Sequence, residues 1–405
     1  MTRPEKLVPI AWPETPEWQA KERLELLRGT PFNVLVGKNL SPDLRTAAES
    51  AGLQVFDSSE IAQSPLIRLE PQGDKPVIVT GSLWPHVRGF NEGGGSGPTG
   101  NSWVDSNGWL IRLAQAKTPG SAVWLAHAPP AKNQLVTPED YAIAIADART
   151  WDGRWIVHLD DNLASRLASG DEKARTTWKM IADTTAWFEQ NRPGPSMHPA
   201  ARLGIVSDFR SPVFNDAVNL LARRQVPFLA TTPDRLDLLP LKSLNVVCTT
   251  AEPLPPALNE FAQQGMVIRP FASPGETGKS SVTPRFVWSG ANVAVAQARP
   301  TDPYLLATDI HLLMTRRQDL VRLFNGSACV ASYLAGSDAT ASVEVVNYTG
   351  RKGSSEIALQ VLAPFKQARI VRPDGEPAAL PVRRTSAGSE VDLPKFGCYL
   401  RVDFS

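Results

Sequence analysis

"FNVLVGKNLSPDLRTAAESAGLQVFD" (residues 32–57) decides the fold class. It opens with a short continuous apolar run, the mark of a strand covered on both faces. Ser41 and Pro42 stand where a helix begins: a serine oxygen accepts an orphan amide, and proline suits the first helical position. Gly52 ends that helix, and "LQVFD" begins the next β-branched and aromatic run. Strand, helix and strand in so short a stretch predict a parallel βαβ unit.

The same alternation continues on the C-terminal side. "KPVIVTG" (75–81), "SAVWLAHAPP" (121–130) and "RWIVHLDD" (154–161) are strands of the same kind. "TPEDYAIAIADART" (137–150) has Thr-Pro and two acids at its start, favourable at a helix N-terminus, and places Tyr141, Ala144, Ile145 and Ala148 on one face. "EKARTTWKMIADTTAWFEQN" (172–191) does the same with Trp178, Ile181, Ala182 and Thr185. Six strands are expected before residue 190, fewer than the eight of a full (β/α) barrel. A barrel-like α/β domain of irregular form is the first expectation, and an open doubly wound sheet the second.

"NRPGPSMHPAAR" (191–202) disfavours helix before each proline and marks a boundary. A smaller α/β unit follows, from "RLGIVSDF" through "LNVVCTT" to "MVIRP". Beyond residue 300 come alternating β-branched runs split by Gly, Asp and Pro, among them "ASVEVVNYTG", "EIALQVLAP" and "GCYLRVDF", the pattern of an antiparallel sandwich. The expected layout is a barrel-like α/β domain over 1–192, a flavodoxin-like α/β domain over 200–275 and a β-sandwich over 300–405. The middle unit is expected to serve oligomeric contacts, since Ser207 and Asp208 alone are polar at its strand ends.

Bulk properties narrow the function. In 405 residues, 42 basic side chains face 41 acidic ones, with no basic cluster, which argues against nucleic-acid binding and docking on anionic membranes. No apolar run reaches the roughly 20 residues that span a bilayer. The start, "MTRPEKLVPIAWPETPEW", lacks the apolar core of a signal peptide; a mature export product without its leader would read the same, so the compartment stays open between periplasm, exterior and cytoplasm. Cys248, Cys329 and Cys398 lie far apart, neither a zinc pattern nor a disulfide framework, and read as buried thiols.

The order of regions resembles the beta-galactosidases that carry a trimerisation domain, within the large clan of barrel glycoside hydrolases. "LNVVCTTAEPLPPALNEFAQQGMVIRP" is similar to their middle domain. "GPTGNSWVDSNGWLIRLAQAK", "RWIVHLDDNLASRL" and "DPYLLATDIHLLMTRRQDLVRLFN" resemble parts of poorly characterised bacterial proteins of that architecture. The resemblance implies an Asn-Glu pair after the fourth strand, with Glu as acid/base, and a second Glu after the seventh as nucleophile. Asn91-Glu92 is the pair on offer, although it stands about a dozen residues past its strand beside a glycine run. No second Glu occupies a comparable strand end, and Asp160 or Asp161 is the candidate there.

Barrel active sites lie at the C-terminal ends of the strands. Those ends carry His86, His127 and His158, and the carboxylates nearest the rim are Asp160, Asp161, Glu92 and Asp105. Glycoside hydrolysis needs two carboxyls, one to protonate the leaving oxygen and one to attack or to activate water. The bland alternatives are helix capping in "LDDNLASRL" and an Asx-turn at Asp105. Eight of the eleven tryptophans lie between residues 84 and 187. Trp84, Trp103 and Trp109 fall in loop sequence where a ring could stack on a sugar, beside Asn101 and Asn107; each reads otherwise as core edge. Residues 97–109 are therefore expected to border the cleft.

The histidines show no metal-ligand spacing, so no metal and no cofactor is expected, and a metal-dependent hydrolase ranks third. "SPGETGKSS" (273–281) imitates a phosphate loop, but Ser273 stands where its first glycine is needed and a β-branched run follows in place of a helix. The leading expectation is a glycoside hydrolase. The alternative is a degenerate glycosidase-like protein that binds glycans without cleaving them. Carbohydrate is the expected ligand, and a homo-oligomer the expected assembly.

Overall fold

The computed structural model describes all residues except 1–5, 58–62, 72, 74, 88–103, 131–135, 272–285, 291, 298 and 351–355. In the N-terminal region the parallel strands are β1 (Pro9–Ala11), β2 (Val34–Gly37), β3 (Gln54–Asp57), β4 (Gln63–Pro65) and β5 (Val77–Thr80). A small antiparallel pair, β6 (His86–Val87) and β7 (Val104–Asp105), precedes β8 (Val123–Leu125), β9 (Arg154–Trp155) and β10 (Val157–His158). Helices α1 (Pro42–Ser50), α2 (Gly108–Lys117), α3 (Pro138–Thr150), α4 (Asp161–Ala168) and α5 (Glu172–Gln190) join or follow them.

The stretch 32–57 folds as read: Ser41 Oγ accepts the Leu44 amide at 3.2 Å, and β2 and β3 pair in parallel. Two four-stranded parallel sheets result, β10-β1-β2-β3 and β4-β5-β8-β9. Only Ile156 separates β9 from β10, so this one segment pairs with β8 on one side and β1 on the other. The first strand thus pairs with the last, and no ladder joins β3 to β4 among the described residues. Alternate residues of β2, β5, β8 and the 154–158 segment (Val34, Val36, Ile78, Trp124 and Ile156) meet in one inner cluster with Ala11 and Phe56. Their neighbours point outward to the helices, as the period of two requires.

The middle sheet begins after a short strand, β11 (His198–Pro199), with β12 (Leu203–Val206), helix α6 (Pro212–Arg223), β13 (Phe228–Thr231), β14 (Val246–Thr249), helix α7 (Pro256–Phe261), β15 (Met266–Arg269), β16 (Phe286–Trp288) and β17 (Val293–Ala296). Its order, β13-β12-β14-β15-β17-β16, has five parallel strands in the sequence second, first, third, fourth, fifth, the order of flavodoxin-type sheets, with β16 antiparallel at the edge. Helix α8 (Pro303–Met314) packs on α6, and Arg224 donates to Thr308 at 2.8 Å.

The C-terminal strands are β18 (Val321–Phe324), β19 (Cys329–Ala335), β20 (Ala341–Asn347), β21 (Ile357–Val361), β22 (Ala368–Arg372), β23 (Gly375–Leu380), β24 (Arg383–Thr385), β25 (Gly388–Leu393) and β26 (Tyr399–Phe404). They form antiparallel sheets β11-β19-β20-β26-β22-β23 and β18-β21-β25-β24 around a shared apolar core. The Pro-rich stretch 191–202 is more than a linker, because its β11 pairs with β19 at that sheet's edge.

Helix α3 departs from its expected one-sided pattern. Ile143, Ala146, Asp147 and Thr150 are buried as well as Tyr141, Ala144, Ile145 and Ala148. Strand β9 lies on one side of it and α5 and β20 on others, so most of its surface is covered and only its first turn, at Glu139, is exposed. The resulting core is continuous, running from the parallel strands through α3 to Val346, Tyr348 and Tyr399.

Candidate active site

A cleft of 730 Å³ opens at the C-terminal ends of β1, β2, β8 and β10. Its floor is small or apolar: Ala11, Val36, Gly37, Ala126 and Ile156. Five ionisable side chains line it, Glu14, Glu17, His127, His158 and Asp161. Lys and Arg are absent from its described walls.

The sequence "WPETPEW" (12–18) carries the two glutamates. The Trp12 amide donates to the Val36 carbonyl at 2.8 Å, and its indole N–H donates to the Trp18 carbonyl at 2.8 Å. The two rings meet edge to face at 5.1 Å, both buried. This closed loop, anchored at both tryptophans, holds Glu14 and Glu17 exposed at the cleft.

Asp161 arrives differently. Asp160 caps α4: one carboxylate oxygen accepts the Leu163 amide at 3.0 Å, and the other accepts the Tyr141 hydroxyl at 3.0 Å. The same hydroxyl accepts the Asp160 amide at 2.8 Å. Tyr141 is thereby tied to both sides of one residue, and the start of α4, where Asp161 is the first helical residue, is held against α3.

His158 ends β10 between these groups. Loss of hydration in the concave site pushes its pKa below the usual imidazole value, and Asp161 and Glu14 pull it partly back. His127 follows β8; burial lowers its pKa too, with a partial offset from the backbone of Ser82 nearby. Both rings are therefore neutral near pH 7 and can each donate and accept.

The residues expected from sequence part into three groups. Asp161, His127 and His158 come together at the cleft. Glu92, Asn101 and Trp103 lie outside the described residues. The rest have other work. Asp160 has both oxygens committed to the cap and to Tyr141. Asp105 is buried on β7 opposite His86, 3.7 Å from its ring nitrogen. Trp84 is buried, edge-on to Tyr141 at 5.5 Å and to Trp155 at 5.4 Å. Trp109 is half-buried against the core. Asn107 is buried, accepting the Leu83 amide at 2.8 Å and donating to the Leu83 carbonyl at 2.8 Å and to Asp147 at 2.9 Å. Residues 104–109 are not among the cleft's walls.

Glu14 and Glu17 escaped the sequence reading. The signal was "LVPIAW" ahead of them, a short apolar run whose proline demotes it as a strand. Pro9 is tolerated because it is the first residue of a three-residue strand. Among the described residues no group of three or more His, Cys, Asp or Glu could hold a metal ion, and no helix is long and apolar enough to cross a membrane. Burial raises the thiol pKa of all three cysteines.

No protein-family model matches this chain, and no curated protein matches it in sequence. Among solved structures it is similar to alpha-L-fucosidase isoenzyme 2 from Paenibacillus thiaminolyticus, with a TM-score of 0.55 at 10% identity over 95% of this chain and 79% of that one. The fold is glycoside-hydrolase-like. The apo exo-carrageenase GH42 from Bacteroides ovatus (TM-score 0.43, 10% identity, 75% of this chain and 45% of that one) also matches. So does the rhamnosidase from Novosphingobium sp. PP1Y (TM-score 0.44, 12% identity, 91% of this chain and 37% of that one), and this chain spans less than half of either enzyme.

Proposed function

We propose that this chain is a carbohydrate-active protein whose cleft holds a sugar, with glycoside hydrolysis by Glu14 and Asp161 as its reaction. One observation carries the reading: two carboxylates from different segments share a cleft at parallel strand ends with two neutral imidazoles. One carboxyl would protonate the glycosidic oxygen while the other attacks the anomeric carbon or activates water. The imidazoles would hydrogen-bond hydroxyls. With three carboxylates and no described Lys or Arg in its walls, the cleft suits an uncharged sugar better than an acidic one.

The pairing of first strand with last, and the inner cluster shared by both sheets, support an irregular (β/α) barrel over an open doubly wound sheet. The layout of barrel-like, flavodoxin-like and sandwich domains belongs to the same proposal, as does the likeness to beta-galactosidases with a trimerisation domain.

A panel of aryl glycosides tests the reaction. Turnover should fall by about 100-fold or more in Glu14→Gln and in Asp161→Asn, the usual loss when a positioned acid or base is removed. Glucuronides should be poorer substrates than matched glucosides. Turnover undiminished in both variants would refute the assignment.

One feature favours the second reading, a glycan-binding protein without hydrolysis. Asp160, the carboxylate nearest the end of β10, is locked into a cap, and the remaining pair stands exposed on a loop and a helix start. Sugar binding by calorimetry with no turnover on any glycoside would select it.

A further inference from the structure

The cleft's His127 is linked to the C-terminal sandwich through a buried chain of polar groups. Tyr348, just beyond β20, donates its hydroxyl to Asp147 of α3. Asp147 is fully buried and accepts twice more from Asn107, from the amide at 3.0 Å and the side-chain nitrogen at 2.9 Å. Asn107 in turn holds both backbone groups of Leu83 at 2.8 Å. The next residue back, Ser82, donates its hydroxyl at 3.1 Å to the carbonyl of Ala126, the residue directly before His127 in the cleft wall.

We propose that Tyr348, Asp147 and Asn107 are positioning residues for His127, so that the sandwich completes the cleft from behind instead of standing as an independent module. Tyr348, Asp147, Asn107 and Ser82 are all buried, so none of them can swing to solvent without leaving a buried polar atom unpaired. Asn107 has both its amide hydrogens committed, to Leu83 and to Asp147, while its oxygen accepts from Leu83. A shift at Tyr348 therefore passes to the 82–83 segment, whose Ser82 hydroxyl holds the peptide carbonyl leading into His127. His158 provides the internal control. It sits on β10 beside α4, which Tyr141 and Asp160 tie down by separate bonds.

The test is Tyr348→Phe in the full chain, followed by NMR of the imidazole resonances through a pH titration. The ring packing is retained and only the hydroxyl is lost. The His127 titration midpoint should shift, because the Ala126 carbonyl that precedes it is held less firmly, while that of His158 stays within error. Ser82→Ala should move His127 in the same selective way, and the double variant should give less than the sum, as residues on one chain do. An unmoved His127, or equal movement of both histidines, overturns the proposal. Should Tyr348→Phe fail to fold, Asp147→Asn makes the same measurement from the middle of the chain, with the same outcomes decisive.

Discussion

Removing one hydroxyl, in Tyr399→Phe, should destabilise the protein far more at alkaline than at acid pH. Tyr399 donates at 2.6 Å to Glu344, a buried carboxylate on β20 with Arg401, Arg149 and Arg112 in its field. Burial pushes the Glu344 pKa up from its ordinary 4.5 to about 7, against the pull of the hydroxyl and the three cations. The sign follows. A carboxyl whose folded pKa is raised contributes most below its unfolded value, and that contribution is lost as pH climbs from near 4.5 through about 7. Titration across that window corresponds to roughly 3 kcal/mol of wild-type stability lost. Phenylalanine keeps the ring contacts with Trp187 at 5.6 Å and Phe188 at 4.8 Å, so the hydrogen bond is isolated. Around pH 9 the bond is to a charged acceptor and its loss should cost about 1.5–3 kcal/mol; around pH 5 the acceptor is protonated and the cost should be about 0.5–1.5. Urea midpoints for wild type and variant at both pH values measure the difference, in which other titrating groups cancel. A cost that is equal at both, or larger in acid, would refute the argument.

Two further outcomes follow from the packing. In Gly108→Ala the added methyl would lie 2.1 Å from the Trp151 indole at the start of α2, and the overpacking should cost about 1–3 kcal/mol by chemical denaturation. Trp84→Ala should cost about 3–5 kcal/mol, a core effect; a variant that melts as wild type does but loses sugar binding would make the ring a ligand platform instead.

Sequence by itself determined the elements. The apolar runs at 34–37, 54–57, 77–80 and 123–125, the caps at Ser41 and Thr137 and the buried face of α5 are all local properties, each set by residues within a few positions of one another. Reading them needed only periodicity and cap chemistry. The strand at 9–11 was missed because its proline obscures the same local signal. The site was legible in part, at Asp161, His127 and His158, which follow strands where cleft residues are expected.

Tertiary structure decided the rest, because the deciding distances join residues remote in sequence. Two adjacent aspartates read alike, yet Tyr141, from a preceding helix, takes Asp160 for the cap and leaves Asp161 at the cleft. Asn107 reads as a ligand group beside tryptophans, but a second layer covers it: β20 and Tyr348, from the far end of the chain, bury Asp147 and turn Asn107 into a link in the core. Glu14 reaches the cleft only because β1 pairs with β10, a contact between the beginning of the region and its last strand. A side chain's role depends on whether another element covers it, and that is set by how the sheets and helices pack, which no short window of sequence contains.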